Sequence, residues 1–266
     1  MNIDTYYSRG LEQNRLGSAV GEVERLRTES IMRRHLPPPP AVILDVGGAA
    51  GAYAFSLASN GYSVHLIDPV PLHIAQAKAH AIESGIHLQS IVEGDARSFS
   101  APPAGADVAL LFGPLYHLLQ RKERIEALGH VRHALKPGGI LFAAMISRYA
   151  SFIDGLSRGF FADPIFRQIV NADLACGQHA NPTDSLDYFT DAYFHRPDEA
   201  REEIAESGFS DIRLMGIEGP AWGVDRFTAA MGDAVQRDDI LRMLQEFEQE
   251  PSIVGASAHF LAIARK

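Results

Sequence analysis

The residues able to do chemistry gather in the first half of the chain. Asp45, Gly47, Gly48 and Gly51 share one stretch, Val42 through Tyr53, in which an apolar run enters a glycine-rich turn and then a helical pattern. Residues without a Cβ let a ligand approach the backbone, and the amides that open a helix attract negative groups, so this turn suits a nucleotide-like cofactor. Asp68 ends the next apolar run, about twenty residues on, where a carboxylate can accept both hydrogen bonds of a ribose diol. Asp95, after the third run, is placed to accept from an exocyclic adenine amine; taken alone it would be read as a turn former or helix cap. The dinucleotide pattern Gly-x-Gly-x-x-Gly, set on Gly47, needs glycine at positions that hold Ala49 and Ala52, which counts against a nicotinamide cofactor.

These residues need a sheet to hold them. Apolar runs of strand length fall at 41–46, 63–68, 88–92, 106–112 and 139–146, and the early ones carry Val, Ile or Leu on both faces, as parallel strands covered by helices must. Between them, 71–84 and 121–135 place apolar residues on one helical face, the first ending at Gly85 and the second before Lys136-Pro137-Gly138-Gly139. The pattern predicts a doubly wound α/β fold with a mostly parallel seven-stranded sheet. A charged amphipathic helix over 19–35 precedes it, stopped by Pro37 to Pro40, a rigid boundary rather than a polyproline ligand. The expected organisation is a cover segment (1–40), a cofactor-binding core (41–146), a helical insertion or lid (147–196) and a C-terminal completion of the sheet (197–266). That last part is read as a helix from 197 to about 208, a strand over 211–217, an acidic helix near 233–250 and a strand over 256–264.

Composition narrows the partners. The 266 residues are 46% hydrophobic and 21% charged, those of an ordinary globular protein, and 24 Lys and Arg against 33 Asp and Glu give a net charge of −9. That sign opposes phosphate binding, so nucleic acid is not expected as a partner. The single cysteine, Cys176, rules out an intrachain disulfide and a multi-thiolate metal site. No apolar stretch approaches the roughly 20 residues needed to cross a bilayer, and the polar start has no export signal, so a cytoplasmic location is expected.

The ordered set Asp45, Gly47, Gly51, Asp68, Asp95 and Leu135 to Gly139 resembles the class I, Rossmann-like S-adenosylmethionine-dependent methyltransferases over roughly residues 40–146. Their motif, Asp/Glu-x-Gly-x-Gly-x-Gly, is matched at Asp45, Gly47 and Gly51, with Ala49 at the middle glycine. The resemblance implies S-adenosylmethionine as cofactor: Gly47, Gly48 and Gly51 shape the methionine side, Asp45 orders the loop near the ammonium, Asp68 holds the ribose, and Asp95 and Ala96 border the adenine. It also sets Phe112 at the carboxyl end of the fourth strand, facing the reacting methyl. The following Gly113-Pro114-Leu115-Tyr116-His117 looks like the version found in bacterial small-molecule methyltransferases.

The expected reaction is methyl transfer to a nitrogen or oxygen of a small-molecule acceptor. A nicotinamide-dependent oxidoreductase and a non-catalytic cofactor-binding subunit are the alternatives. His117 is the candidate general base, with Tyr116 beside it; a residue in that position is more commonly a cap or a pocket wall. Tyr6, Tyr7, Tyr149 and Trp222 are candidates to line the acceptor, and Arg25 and Arg27 to reach the methionine carboxylate. The eleven histidines show no ligand spacing, so no metal is expected. The acidic helix near 233–250 is read as a solvated face, or, through Ile240, Leu241, Leu244 and Phe247, as a homodimer contact.

Overall fold

The computed structural model describes residues 19–183, 185–220 and 227–266. β1 (Val42–Val46) is buried along nearly all its length. It pairs in parallel with β2 (Ser63–Asp68) on one side and β4 (Ala106–Leu111) on the other. β3 (Ser90–Glu93) continues the sheet beyond β2 and β5 (Leu135–Ile146) beyond β4, again in parallel. β9 (His259–Arg265) and β8 (Ser210–Gly216) complete seven strands in the order β3-β2-β1-β4-β5-β9-β8. β9 runs antiparallel to β5: Lys266 N donates to Gly139 O and Ser147 N to Ala258 O, so one number falls as the other rises. The mostly parallel seven-stranded sheet is the one the hydrophobic pattern predicts. β5 starts four residues earlier than the apolar run suggests, because Leu135 pairs with Ala106 before a register shift at Val108.

The helices are α1 (Ala19–His35), α2 (Ala52–Ser59), α3 (Pro71–Ser84), α4 (Pro114–His117), α5 (Arg121–Ala134), α6 (Ala150–Arg158), α7 (Pro164–Cys176), α8 (Pro197–Glu206), α9 (Phe227–Gly232), α10 (Ala234–Phe247) and α11 (Pro251–Ala256). Within 147–196, where no strand pattern is visible in the sequence, β6 (Gln178–His179) and β7 (Ala192–Tyr193) form a short antiparallel pair. The acidic helix expected near 233–250 is α10, which is capped by Asp233 and ends at Phe247; a further short helix, α11, opens at Pro251, whose fixed φ suits the first helical position.

The chain forms two compact units. The first contains 35–144, 201–212 and 262–266; the second contains 145–200, 213–261 and the described part of 1–34. In the first, the Arg124 guanidinium on α5 donates to both carboxylate oxygens of Glu203 on α8, at 2.9 and 2.7 Å, and to the carbonyls of Leu118 and Leu119. Both side chains are almost fully buried. The same guanidinium thereby fixes the short connection from α4 to α5. In the second unit, Ile240 and Leu241 of α10 pack on a cluster of Val23, Phe227 and Met231, so the apolar side on which a dimer contact was expected is used inside the chain. Glu248, expected on a solvated face, is instead buried and paired with Arg27 and Arg34.

Removing one member of a buried, well-bonded ion pair strands the other charge away from water. Glu203→Ala is expected to lower the unfolding free energy by about 3–5 kcal/mol in urea denaturation. Arg121→Ala, which removes the half-exposed partner of Glu206, should cost about 1 kcal/mol or less. Equal losses would show that burial does not govern the Arg124–Glu203 pair.

Candidate cofactor and active site

The strand order reverses at β1: β2 and β3 lie to one side, β4 and β5 to the other. In an open α/β sheet such a reversal leaves a crevice beyond the carboxyl ends of the strands. Two turns leave the sheet there, residues 47–51 after β1 and 112–117 after β4, and they touch. A Cβ on Gly47 would stand 2.6 Å from Pro114 Cδ, and one on Gly113 would stand 3.4 Å from the Gly47 carbonyl. At Gly48 a Cβ would lie 2.3 Å from Leu66 Cδ1 and 2.5 Å from Asp45 Oδ2. Gly47 and Gly51 also have φ of +75° and +90°, the left-handed region that side chains avoid. These glycines therefore floor a cradle that a single methyl group at 47 or 48 would disrupt.

Beneath it lies Asp45, 1% exposed, with neither carboxylate oxygen bonded to any group among the described residues. Burial, and secondarily the charge of nearby Asp68, push its carboxyl up to about 7. Such a group lacks a counter-cation, and the site fits a ligand that brings one.

Asp68 is buried as expected of a strand end, but its carboxylate is already engaged. Oδ2 accepts from Ala49 N at 2.8 Å; Oδ1 accepts from Val70 N and faces His73 Nδ1, each at 2.9 Å. A carboxylate has about four lone-pair directions. One remains, enough for a single ribose hydroxyl; the grip on both hydroxyls expected from sequence requires a present partner to let go. His73, on the first turn of α3, was not singled out from sequence, where its only signal is a position five residues past the acid.

Asp95 is held by Arg97, whose Nε and Nη2 donate at 2.8 and 2.7 Å and whose amide donates at 2.8 Å. These hydrogen bonds keep its carboxyl below the usual carboxylate range. Ala96 beside it is buried. After β4, Phe112 meets the Tyr53 ring edge-on at 5.2 Å, a second contact not foreseen from sequence. The Tyr116 hydroxyl donates to the Phe112 carbonyl at 3.3 Å, and its ring lies 4.6 Å from that of His117.

The structure thus brings Asp45, Gly47, Gly48, Gly51, Asp68, Phe112, Tyr116 and His117 to the carboxyl ends of β1, β2 and β4, with Asp95 and Ala96 just past β3. Tyr149 belongs to the second unit, where it opens α6 and is 39% exposed. Tyr6, Tyr7 and Trp222 lie outside the described residues. Arg25 donates to Glu29 one helical turn away, and Arg27 is buried against Glu248 and the Ile217 carbonyl. Both side chains thus have carboxylate partners inside the second unit.

Over 207 residues the chain is 30% identical to the ubiquinone biosynthesis O-methyltransferase of Methylobacterium nodulans, an alignment covering 74% of this chain and 72% of the relative. The chain belongs to the class I S-adenosylmethionine-dependent methyltransferases. The family model described as a methyltransferase domain matches residues 43–139, which hold the glycine turn and the strand ends around it. The protein of the same name from Xylella fastidiosa (strain 9a5c) is 32% identical over 123 residues, 46% of this chain, and the chain spans about half of that relative's length (48%). In fold, an S-adenosylmethionine-dependent methyltransferase from Mesorhizobium loti superposes with a TM-score of 0.60 at 16% identity, covering 90% of this chain and 98% of that one.

S-Adenosylmethionine is the cofactor of this methyltransferase, and neither the nicotinamide nor the non-catalytic reading is supported. Its ammonium and sulfonium are the kind of positive charge that Asp45 lacks. In the free protein Asp45 binds a proton that the unfolded chain, at an ordinary 3.8, has already lost, so its burial costs stability increasingly as pH rises from about 4 to about 7 and fully above that. Asp45→Asn should therefore melt higher than the parent at pH 8 without cofactor yet bind S-adenosylmethionine about tenfold or more weakly in calorimetry; an unchanged affinity would remove Asp45 from the site. Ala49, at φ +48°, sits where the family motif has glycine. Ala49→Gly should raise stability by about 1 kcal/mol in thermal melts, and a lowered stability would mean that the methyl group makes compensating contacts.

Proposed function

We propose that this methyltransferase moves the sulfonium methyl group of S-adenosylmethionine onto a nucleophilic oxygen or nitrogen of a small organic acceptor in the cytoplasm. The observation that carries the reading is the Asp45 carboxylate, buried without a partner among the described residues under glycines at 47 and 48 where a Cβ would clash, at the reversal point of the sheet. Two relatives named as O-methyltransferases of ubiquinone biosynthesis favour oxygen as the accepting atom and a phenol-like acceptor.

S-Adenosylmethionine supplies an electrophilic methyl group when bound; the residues of the chain bind, orient and manage protons. Asp45 offers its negative charge to the cationic end, and the bare backbone at Gly47, Gly48 and Gly51 permits close approach. Asp68 accepts one ribose hydroxyl through its remaining lone pair, while Asp95 and Ala96 border the adenine. Phe112, backed by Tyr53, contributes an apolar wall that excludes water, which otherwise competes as a nucleophile. An acceptor hydroxyl attacks best once its proton has gone, and a ring nitrogen of His117 takes it. Tyr116, bonded to the Phe112 carbonyl and lying edge-on to His117, limits how that ring can turn.

Methyl-labelled cofactor incubated with the enzyme and a panel of phenols, catechols and amines should label one acceptor class and release S-adenosylhomocysteine. His117→Ala is expected to lower kcat about a hundredfold while the cofactor Kd stays within about twofold. Loss of cofactor binding in that variant would show that His117 supports the fold, and absence of label transfer to any acceptor in a wild-type protein that binds the cofactor would count against catalysis.

A further inference from the structure

Three side chains from distant parts of the sequence converge in the second unit. Glu24 is on α1, Glu218 follows β8, and His259 opens β9. One oxygen of each carboxylate and Nδ1 of His259 all lie within 4.8 Å of one another. Nδ1 is 2.6 Å from Glu218 Oε1 and 4.0 Å from Glu24 Oε2. Glu218 is fully buried, and its other oxygen accepts from the His259 amide at 3.0 Å.

We propose that Glu24, Glu218 and His259 bind a divalent transition-metal ion of the zinc type. With bonds of about 2.0–2.1 Å, a tetrahedral zinc ion holds its ligand atoms about 3.3 Å apart. The contact of Nδ1 with Glu218 therefore opens and that with Glu24 closes, each by under about 1 Å, while the two carboxylate oxygens, within 4.8 Å of each other, close by at most about 1.5 Å, movements that the Glu24 side chain on α1 can make by rotamer adjustment. One imidazole with two carboxylates is a zinc-like donor set, whereas magnesium favours oxygen ligands alone.

Glu218 is buried against an imidazole and a backbone amide, and the charge of Arg27, which is bonded to Glu248, also reaches it. A metal cation coordinated by the Glu218 carboxylate adds a direct counter-charge. Nδ1 gives up the hydrogen it shares with Glu218 when it coordinates, so hydrogen bond and metal bond are alternative uses of one atom. Three protein ligands leave a fourth position for water or another oxygen ligand, the arrangement of an open zinc site. Because the ligands come from three separate segments, no spacing motif reveals them in the sequence.

The full-length chain, stripped with a chelator and titrated with zinc chloride by calorimetry, should bind one equivalent and melt at a higher temperature. Glu24→Gln and His259→Gln, each checked for an unchanged far-ultraviolet circular dichroism spectrum, should bind zinc about a hundredfold or more weakly. Glu24→Gln keeps the shape of a partly exposed helical side chain, so it decides the matter should the His259 variant not fold. Failure of the stripped wild-type chain to bind stoichiometrically, or undiminished binding by a folded variant, overturns the proposal.

Discussion

A carboxylate taken out of water without a partner is expensive, and the geometry around Asp45, which has none among the described residues, follows from keeping one at the end of β1. The strand must be central, because only a strand flanked on both sides and covered on both faces removes the side chain from solvent. The turn above it must be glycine, because a Cβ at 48 would run into the Asp45 oxygen itself and one at 47 into Pro114. The turn must also be tied down, and Asp68 does that by accepting the Ala49 amide. Asp68 in turn raises the Asp45 carboxyl further by like charge, so the two acids prepare a site that gains most when a positive group arrives.

The alanine at 49 shows how the site tolerates a departure from the family motif. A left-handed conformation costs a residue with a Cβ on the order of 1–2 kcal/mol. The charge-assisted bond from Ala49 N to Asp68 is of the same order, so the turn keeps its shape with alanine where glycine is usual. The consequence falls on Asp68, whose carboxylate serves the protein first, engaging the Ala49 and Val70 amides and His73.

What the sequence revealed follows from the range of the interactions involved. The parallel strands β1, β2 and β4 and the helices α3 and α5 are local patterns of apolar residues, and they appeared at their positions within a residue or two. The glycine turn and the acids at 45, 68 and 95 stood out because each follows a strand at a fixed spacing along the chain, and the structure sets them at or just past the strand ends. What stayed hidden depends on partners far away. Nothing local says that Glu248 is buried against Arg27, that His73 and two amides occupy Asp68, or that Glu24, Glu218 and His259 meet. Tyr53 was visible inside the glycine motif, yet its contact with Phe112 depends on β4 lying next to β1.

Each of the two units is assembled from three stretches of chain, and each contains a buried Arg–Glu pair between stretches: Arg124 with Glu203 in the first, Arg27 with Glu248 in the second. Such pairs add little net stability, because the Coulomb attraction does not much exceed the cost of dehydrating both ions. Their effect is asymmetric. A correct pairing is roughly neutral, whereas a packing that buries one member without the other leaves a bare charge and loses several kcal/mol. In a discontinuous unit, apolar surface alone would accept many helices in place of α8 or α10, since Leu and Ile are poor discriminators. The guanidinium accepts only the segment that brings a carboxylate to its fork, so these pairs contribute to which stretch joins which unit. The Arg124 pair extends this to the turn after β4, because the same guanidinium also holds the carbonyls of Leu118 and Leu119, the two residues that follow His117.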